Sequence, residues 1–134
     1  MSAVPASSKE RSSERHQTAG SISALTSSSV HHLDTCQAVL GSDRAISGIL
    51  GVSPSQVSRW RRGQRPDLEN ADRLAGLALV VEMLARWLDP SVVEGWLHGP
   101  NAHLGDRSPV YLIGAGRVAD VIGAIEAEKA GVHA

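Results

Sequence analysis

The sequence predicts an all-α protein, and three observations carry that prediction. Apolar residues recur at helical spacing from Leu33 onward, no alternation of period two is sustained, and Gly and Pro fall between the apolar stripes. Phe is absent and Tyr occurs once, so the aromatic enrichment of strands is missing as well.

A chain of 134 residues has room for one compact domain or two small helical ones sharing a core. Three regions are expected, at 1–29, 30–66 and 67–134. The first is rich in Ser, Ala, Thr, Glu, Lys and Arg with almost no large apolar side chain, so burial cannot offset the entropy of ordering it and a disordered tail is expected. Such a tail is either a dispensable leader or a basic arm. Lys9, Arg11 and Arg15 alternate with Glu10 and Glu14, which favours the leader.

Beyond the tail, Leu33, Cys36, Val39 and Leu40 mark one face of a short helix ending near Gly41, and Ser42 offers the N-cap of the next. That next helix runs from Asp43 to Leu50 with Ile46, Ile49 and Leu50 inward. Gly51 then permits a left-handed turn, and Val52 returns to the core. A further helix is announced by Ser53 as N-cap, Pro54 at the first helical position, and Gln56, which completes a capping box with Ser53. Gly63 closes it.

Val57 and Trp60 fall on the inner face of this helix, which leaves Ser55, Gln56, Ser58, Arg59 and Arg62 pointing outward. The inward set Ile46, Leu50, Val52, Val57 and Trp60, with small Ser47 and Gly51 at the helix crossing, resembles the helix-turn-helix of phage-repressor type, although Ser47 replaces the alanine common there. Charge agrees with that likeness. The 13 Lys and Arg nearly cancel the 14 Asp and Glu over the whole chain, yet between Thr35 and Arg65 five arginines face only Asp43. Gln56 and Arg59 are the expected base readers, because glutamine can bond both edge groups of adenine and arginine both acceptors of guanine. Arg44, Arg61, Arg62 and Arg65 are expected to bind phosphate, and each alternatively is a solvated surface charge.

Pro66 and Asp67 restart the chain, and Leu74, Leu77, Ala78, Val81, Leu84, Ala85 and Leu88 form one apolar stripe on a long helix from about Leu68 to Leu88. Val80, Met83 and Trp87, with Leu79, form a second stripe, so the helix must be covered on both sides. A homodimer or a bound partner would supply that cover; a central helix wrapped by its own neighbours is the alternative.

Several function classes find no support. Cys36 is single and is expected to be a buried thiol in a reducing, cytoplasmic setting. The adjacent His31 and His32 diverge on a helix, so no metal is expected. No apolar run is long enough for a membrane span, and the Ser-rich start lacks the apolar stretch of a secretory signal. Val110–Ile113 followed by Gly114-Ala115-Gly116-Arg117-Val118-Ala119 imitates a dinucleotide fingerprint, but the downstream acidic residue of a βαβ unit is missing and Ser108-Pro109 caps a helix. Gly114–Gly116 is therefore read as a break before a last helix with Val118, Val121, Ile122 and Ile125 on one face, and no cofactor is expected. No nucleophile elbow, paired Cys/His site or phosphate loop points to an enzyme, and His98 and His103 flank a Pro-Asn turn without a partner.

The order Trp96-Leu97, Pro100-Asn101, Leu104-Gly105, Ser108-Pro109 and Gly116-Arg117, placed behind a repressor-like head, resembles the Xre/MbcA/ParS-type antitoxins from about Asp43 to the end. The resemblance implies an antitoxin of a type II toxin–antitoxin system that neutralises a RES-domain, NAD-degrading toxin encoded by a neighbouring gene and represses its own operon as a dimer or a larger toxin complex. It places Trp96, Leu97, Asn101, Leu104, Ser108, Pro109, Leu112 and Arg117 on the family pattern, mostly as builders of the 67–134 dimerisation and toxin-binding region. Toxin contact is assigned to Arg117, Glu126, Glu128 and Lys129, polar groups of the last helix able to enter a nucleotide-binding cleft. The alternative is a plain dimeric repressor with no toxin partner.

Overall fold

The protein was analysed as a computed structural model, which describes residues 28–132. Among these residues it is all helical: α1 spans residues 28–40, α2 Asp43–Leu50, α3 Pro54–Arg61, α4 Leu68–Trp87 and α5 Pro90–His98. A 3₁₀ turn at Ala102–Leu104 leads to α6, Pro109–Gly114, and α7, Val118–Val132. The expectation of a disordered tail falls on residues outside the described ones except at its end, where it is corrected. Residues 28 and 29 already lie within helix α1, and Ser29 is buried.

The helix boundaries follow local chemistry. Gly41, at φ +90°, donates its N–H to the Gln37 carbonyl at 2.8 Å and ends α1. The hydroxyls of Ser42, Ser53 and Ser108 accept from the backbone N–H three residues on, at 3.1, 3.1 and 3.2 Å, capping α2, α3 and α6. Gln56 makes only half of the expected capping box, since its side chain returns no bond to Ser53. Past α3, Gly63 adopts φ +105° while its N–H reaches the Trp60 carbonyl and that of Gln64 the Arg59 carbonyl. This pair of bonds is a Schellman motif, and only glycine adopts its left-handed residue without strain.

One apolar cluster runs through the whole described chain, from Leu33 and Cys36 on α1 to Val121 and Ile125 on α7. Helix α2 packs on α3, α4 and α6, while α4 packs on α5, α6 and α7, so the 30–66 and 67–134 regions share a core. The α4–α7 crossing is close: a Cβ on Gly76 would lie 2.5 Å from Val118 Cγ2.

The second stripe of α4 is covered differently from expectation. Val80 is fully buried, and Met83 and Trp87 pack against the core, because α5, α6 and α7 wrap the helix within one chain. Leu79 alone of that set stays bare, at 46 % exposed.

Candidate functional site

Two surfaces carry the polar side chains that the sequence singles out. The first is the outer face of α3. Val57 and Trp60 are buried beneath it, so the helix phase leaves Ser55, Arg59 and Arg62 exposed and Gln56 and Ser58 half-buried. The guanidinium groups of Arg44, Arg59 and Arg65 bond to no described residue, while Arg62 Nη2 donates to Ser58 Oγ at 3.2 Å. Gln56 borders a shallow groove with Trp60, Gln64, Arg65 and Leu68.

Arg61 stands apart from the other arginines and corrects its assignment as a free phosphate ligand. Its Nη2 donates to Asp43 Oδ1 at 2.7 Å and to Gln37 Oε1 at 2.9 Å, Nη1 donates to Asp34 Oδ1 at 2.7 Å, and Nε donates to Asp43 Oδ2. The hydrogen bond that Arg61 donates to Asp43 raises its pKa above the usual value, against a smaller opposing effect of burial. This fork ties α1, α2 and α3 together, which is the task for which a rigid, multidentate donor is suited.

The second surface is built by α5, the 3₁₀ turn, α6 and α7. Asn101 is its pivot. Buried at 5 % exposure, Asn101 accepts from the His103 N–H through Oδ1 at 2.9 Å and donates through Nδ2 to Glu128 Oε1 at 2.9 Å. The other oxygen of Glu128 accepts from Trp96 Nε1, also at 2.9 Å. The carboxylate thus joins α5, the turn and α7. Glu128, expected from the sequence to contact a toxin, has both of its oxygens bonded within the chain.

The remaining toxin-contact candidates do not converge. Arg117 precedes α7 and pairs with Asp120 at 2.6 Å, whereas exposed Glu126 and half-buried Lys129 lie near the other end of the helix. The separation of 9 to 12 residues corresponds to roughly 14–18 Å along the axis. Arg117 instead borders an open groove of about 470 Å³ with His103 and Arg107, floored by Gly123, Ala124 and Ala127. Arg107 also lies over the exposed Tyr111 ring at 5.9 Å, a cation–π contact.

Titratable groups elsewhere explain themselves locally. Burial, with Glu82 nearby, pushes the Cys36 thiol up to about 12, so the thiol is inert. Desolvation lowers the His32 pKa, helped by His31 and opposed by Glu82. The Asp89 carboxylate, capping α5, is held below its usual range by the Ser91 N–H. Among the described residues no group of three or more His, Cys, Asp or Glu could hold a metal, and no helix is long and apolar enough to cross a membrane. His98 and His103 are exposed, and neither imidazole has a catalytic partner.

Among the described residues the scaffold is helical and presents two polar faces, the outer face of α3 and the surface built by α5 to α7. No protein-family model matches the chain. The mycobacterial cidal antitoxin MbcA of Mycobacterium bovis is 35% identical over 88 residues, which is 65% of this chain and 78% of that protein. The MbcA of Mycobacterium tuberculosis aligns with the same identity and coverage. A chain in the crystal structure of the M. tuberculosis MbcT–MbcA toxin–antitoxin complex superposes at TM-score 0.65 and 30% identity, over 77% of this chain and 95% of that one. The chain belongs to the MbcA antitoxin family, and it is not an enzyme.

Proposed function

We propose that the protein is an antitoxin that neutralises, by direct binding, a RES-type, NAD-degrading toxin encoded by a neighbouring gene, and that it represses its own operon in the cytoplasm. The observation that carries the toxin half is the relationship to MbcA, together with the likeness to a chain of a toxin–antitoxin complex. Arg117, Glu126 and Lys129 are the proposed toxin contacts, and the Trp96–Glu128–Asn101 clamp sets the position of the helix that presents two of them. Co-expression with the neighbouring gene tests this half: the pair should co-purify and cellular NAD should be preserved. Falling NAD in the presence of the antitoxin would overturn it.

The operator half rests on α3. The guanidinium groups of Arg44, Arg59 and Arg65, which bond to no described residue, and Arg62, held only by Ser58, would offer phosphate and base contacts, and α2–turn–α3 is read as the helix-turn-helix head. Arg59→Ala should weaken operator binding by roughly 1–3 kcal/mol and relax base preference, while Arg65→Ala should weaken all sequences alike and reduce the salt slope by about one. Equal behaviour of the two variants across scrambled operators would remove the division of labour. A homodimer is part of this reading, since it would present two α3 helices to a two-fold operator.

A further inference from the structure

Beyond its first turn, helix α4 leaves Asp72, Leu79, Glu82 and Arg86 exposed outside the core, with Glu82 to one side of the ridge that the other three form. At 100° per residue, Asp72, Leu79 and Arg86 stand in line at intervals of seven, with half-buried Ala75 and Met83 on opposite flanks. Leu79 is the bare apolar centre, and Asp72 and Arg86 are exposed without a hydrogen bond or ion pair to any described residue. The ridge stands between two grooves, one bordered by His31, His32 and Glu82 and the other by Arg73, Ala115 and Val118.

The pattern is complementary to its own reverse. Positions 72 and 86 are equidistant from 79, and so are 75 and 83. The geometry points to a second copy of this chain as the occupant of the ridge, with the two α4 helices antiparallel and a two-fold axis at Leu79. Leu79 then meets its own copy, Ala75 leaves room for the long Met83 side chain of the second copy, and each Asp72 faces an Arg86 of the second copy. A parallel pairing would oppose Asp72 to itself. The charges lie seven residues, about 10.5 Å, from the axis; at a shallow crossing of about 20° the helices diverge there by only about 4 Å, within the reach of an arginine. A single helix pair lies at the low end of stable interfaces, so the dimer is micromolar and weakens with salt.

This inference rests on the homodimer reading above and specifies its surface. Its test is sedimentation equilibrium on the full chain at low salt. The wild type should dimerise, whereas Asp72→Arg and Arg86→Asp, each placing like charges opposite one another twice, should raise the dissociation constant at least about tenfold. Mixing the two variants should produce a one-to-one heterodimer, and the double variant D72R/R86D should dimerise again. Circular dichroism confirms that each single variant keeps its helix content, and the double variant decides the matter where one does not. A wild type that stays monomeric would overturn both the dimer reading and this surface. A dimeric wild type with unaffected single variants, or single variants that do not pair on mixing, would overturn the surface alone.

Discussion

Two polar clamps hold this fold, one at each end, and they work under different physical conditions. Around α3, Arg61 bonds two carboxylates and a glutamine, and Asp34 of that set is largely exposed. Around α7, Glu128 bonds two neutral donors, Trp96 and Asn101, and the latter is buried. Water and salt screen the first cluster, so much of its electrostatic gain is also available in the unfolded chain. The second centres on the buried Asn101, and removing its acceptor leaves that amide N–H buried without a partner and the half-buried Trp96 indole without its bond. The positions of α1–α3 are therefore adjustable by ionic conditions, while the α5–α7 scaffold is held by hydrogen bonds that solvent cannot easily replace.

Asn101→Asp breaks the comparison at its most sensitive point. It sets a carboxylate against Glu128 at hydrogen-bond distance and should cost about 2–4 kcal/mol of stability in denaturant unfolding. Adding Glu128→Gln should recover a large part of the loss, because the amide can donate to the new carboxylate. Recovery absent, the Asn101–Glu128 contact is not what positions α7.

Arg61→Ala should cost less, about 1–2 kcal/mol, and the difference from wild type should shrink in 1 M salt. The Asn101→Asp penalty should change much less over the same range. Parallel salt dependences would erase the distinction between the two clamps.

The smallest effect separates the regions by pH. The pKa of His32, on α1 against Glu82 of α4, is lowered by desolvation, so the folded chain binds its proton less readily than the unfolded one. Its contribution is present above the unfolded value of 6.5 and is lost as pH falls through the folded value. Native-state hydrogen exchange in α1 should accelerate as pH falls below 6.5, and His32→Gln should flatten that response while leaving α7 unchanged.

The caps and turns were legible in the sequence because their chemistry is local: Ser42, Ser53 and Ser108 each bond a residue three positions on, and Gly51 and Gly63 take the left-handed turns expected of them. Both clamps were missed because their partners are distant. Arg61 meets Asp43 and Asp34 across 18 and 27 residues, and Glu128 meets Asn101 and Trp96 across 27 and 32. A signal existed for the second, since an indole and an amide placed against a core both need acceptors and Glu128 lies among the few acids that follow them. Covering of α4 was misjudged for a related reason: periodicity shows that Val80, Met83 and Trp87 are apolar, but not which neighbours bury them.

In the proposed function, toxin neutralisation resides in the α5–α7 scaffold and is separable from the α3 face. Growth of cells expressing the neighbouring toxin gene, with each antitoxin variant supplied from a constitutive promoter, tests it directly. The wild type and Arg59→Ala/Arg62→Ala should rescue growth fully, and Asn101→Asp should lose rescue. Rescue by Asn101→Asp equal to wild type, or failure of the α3 variant at equal protein level, would contradict it.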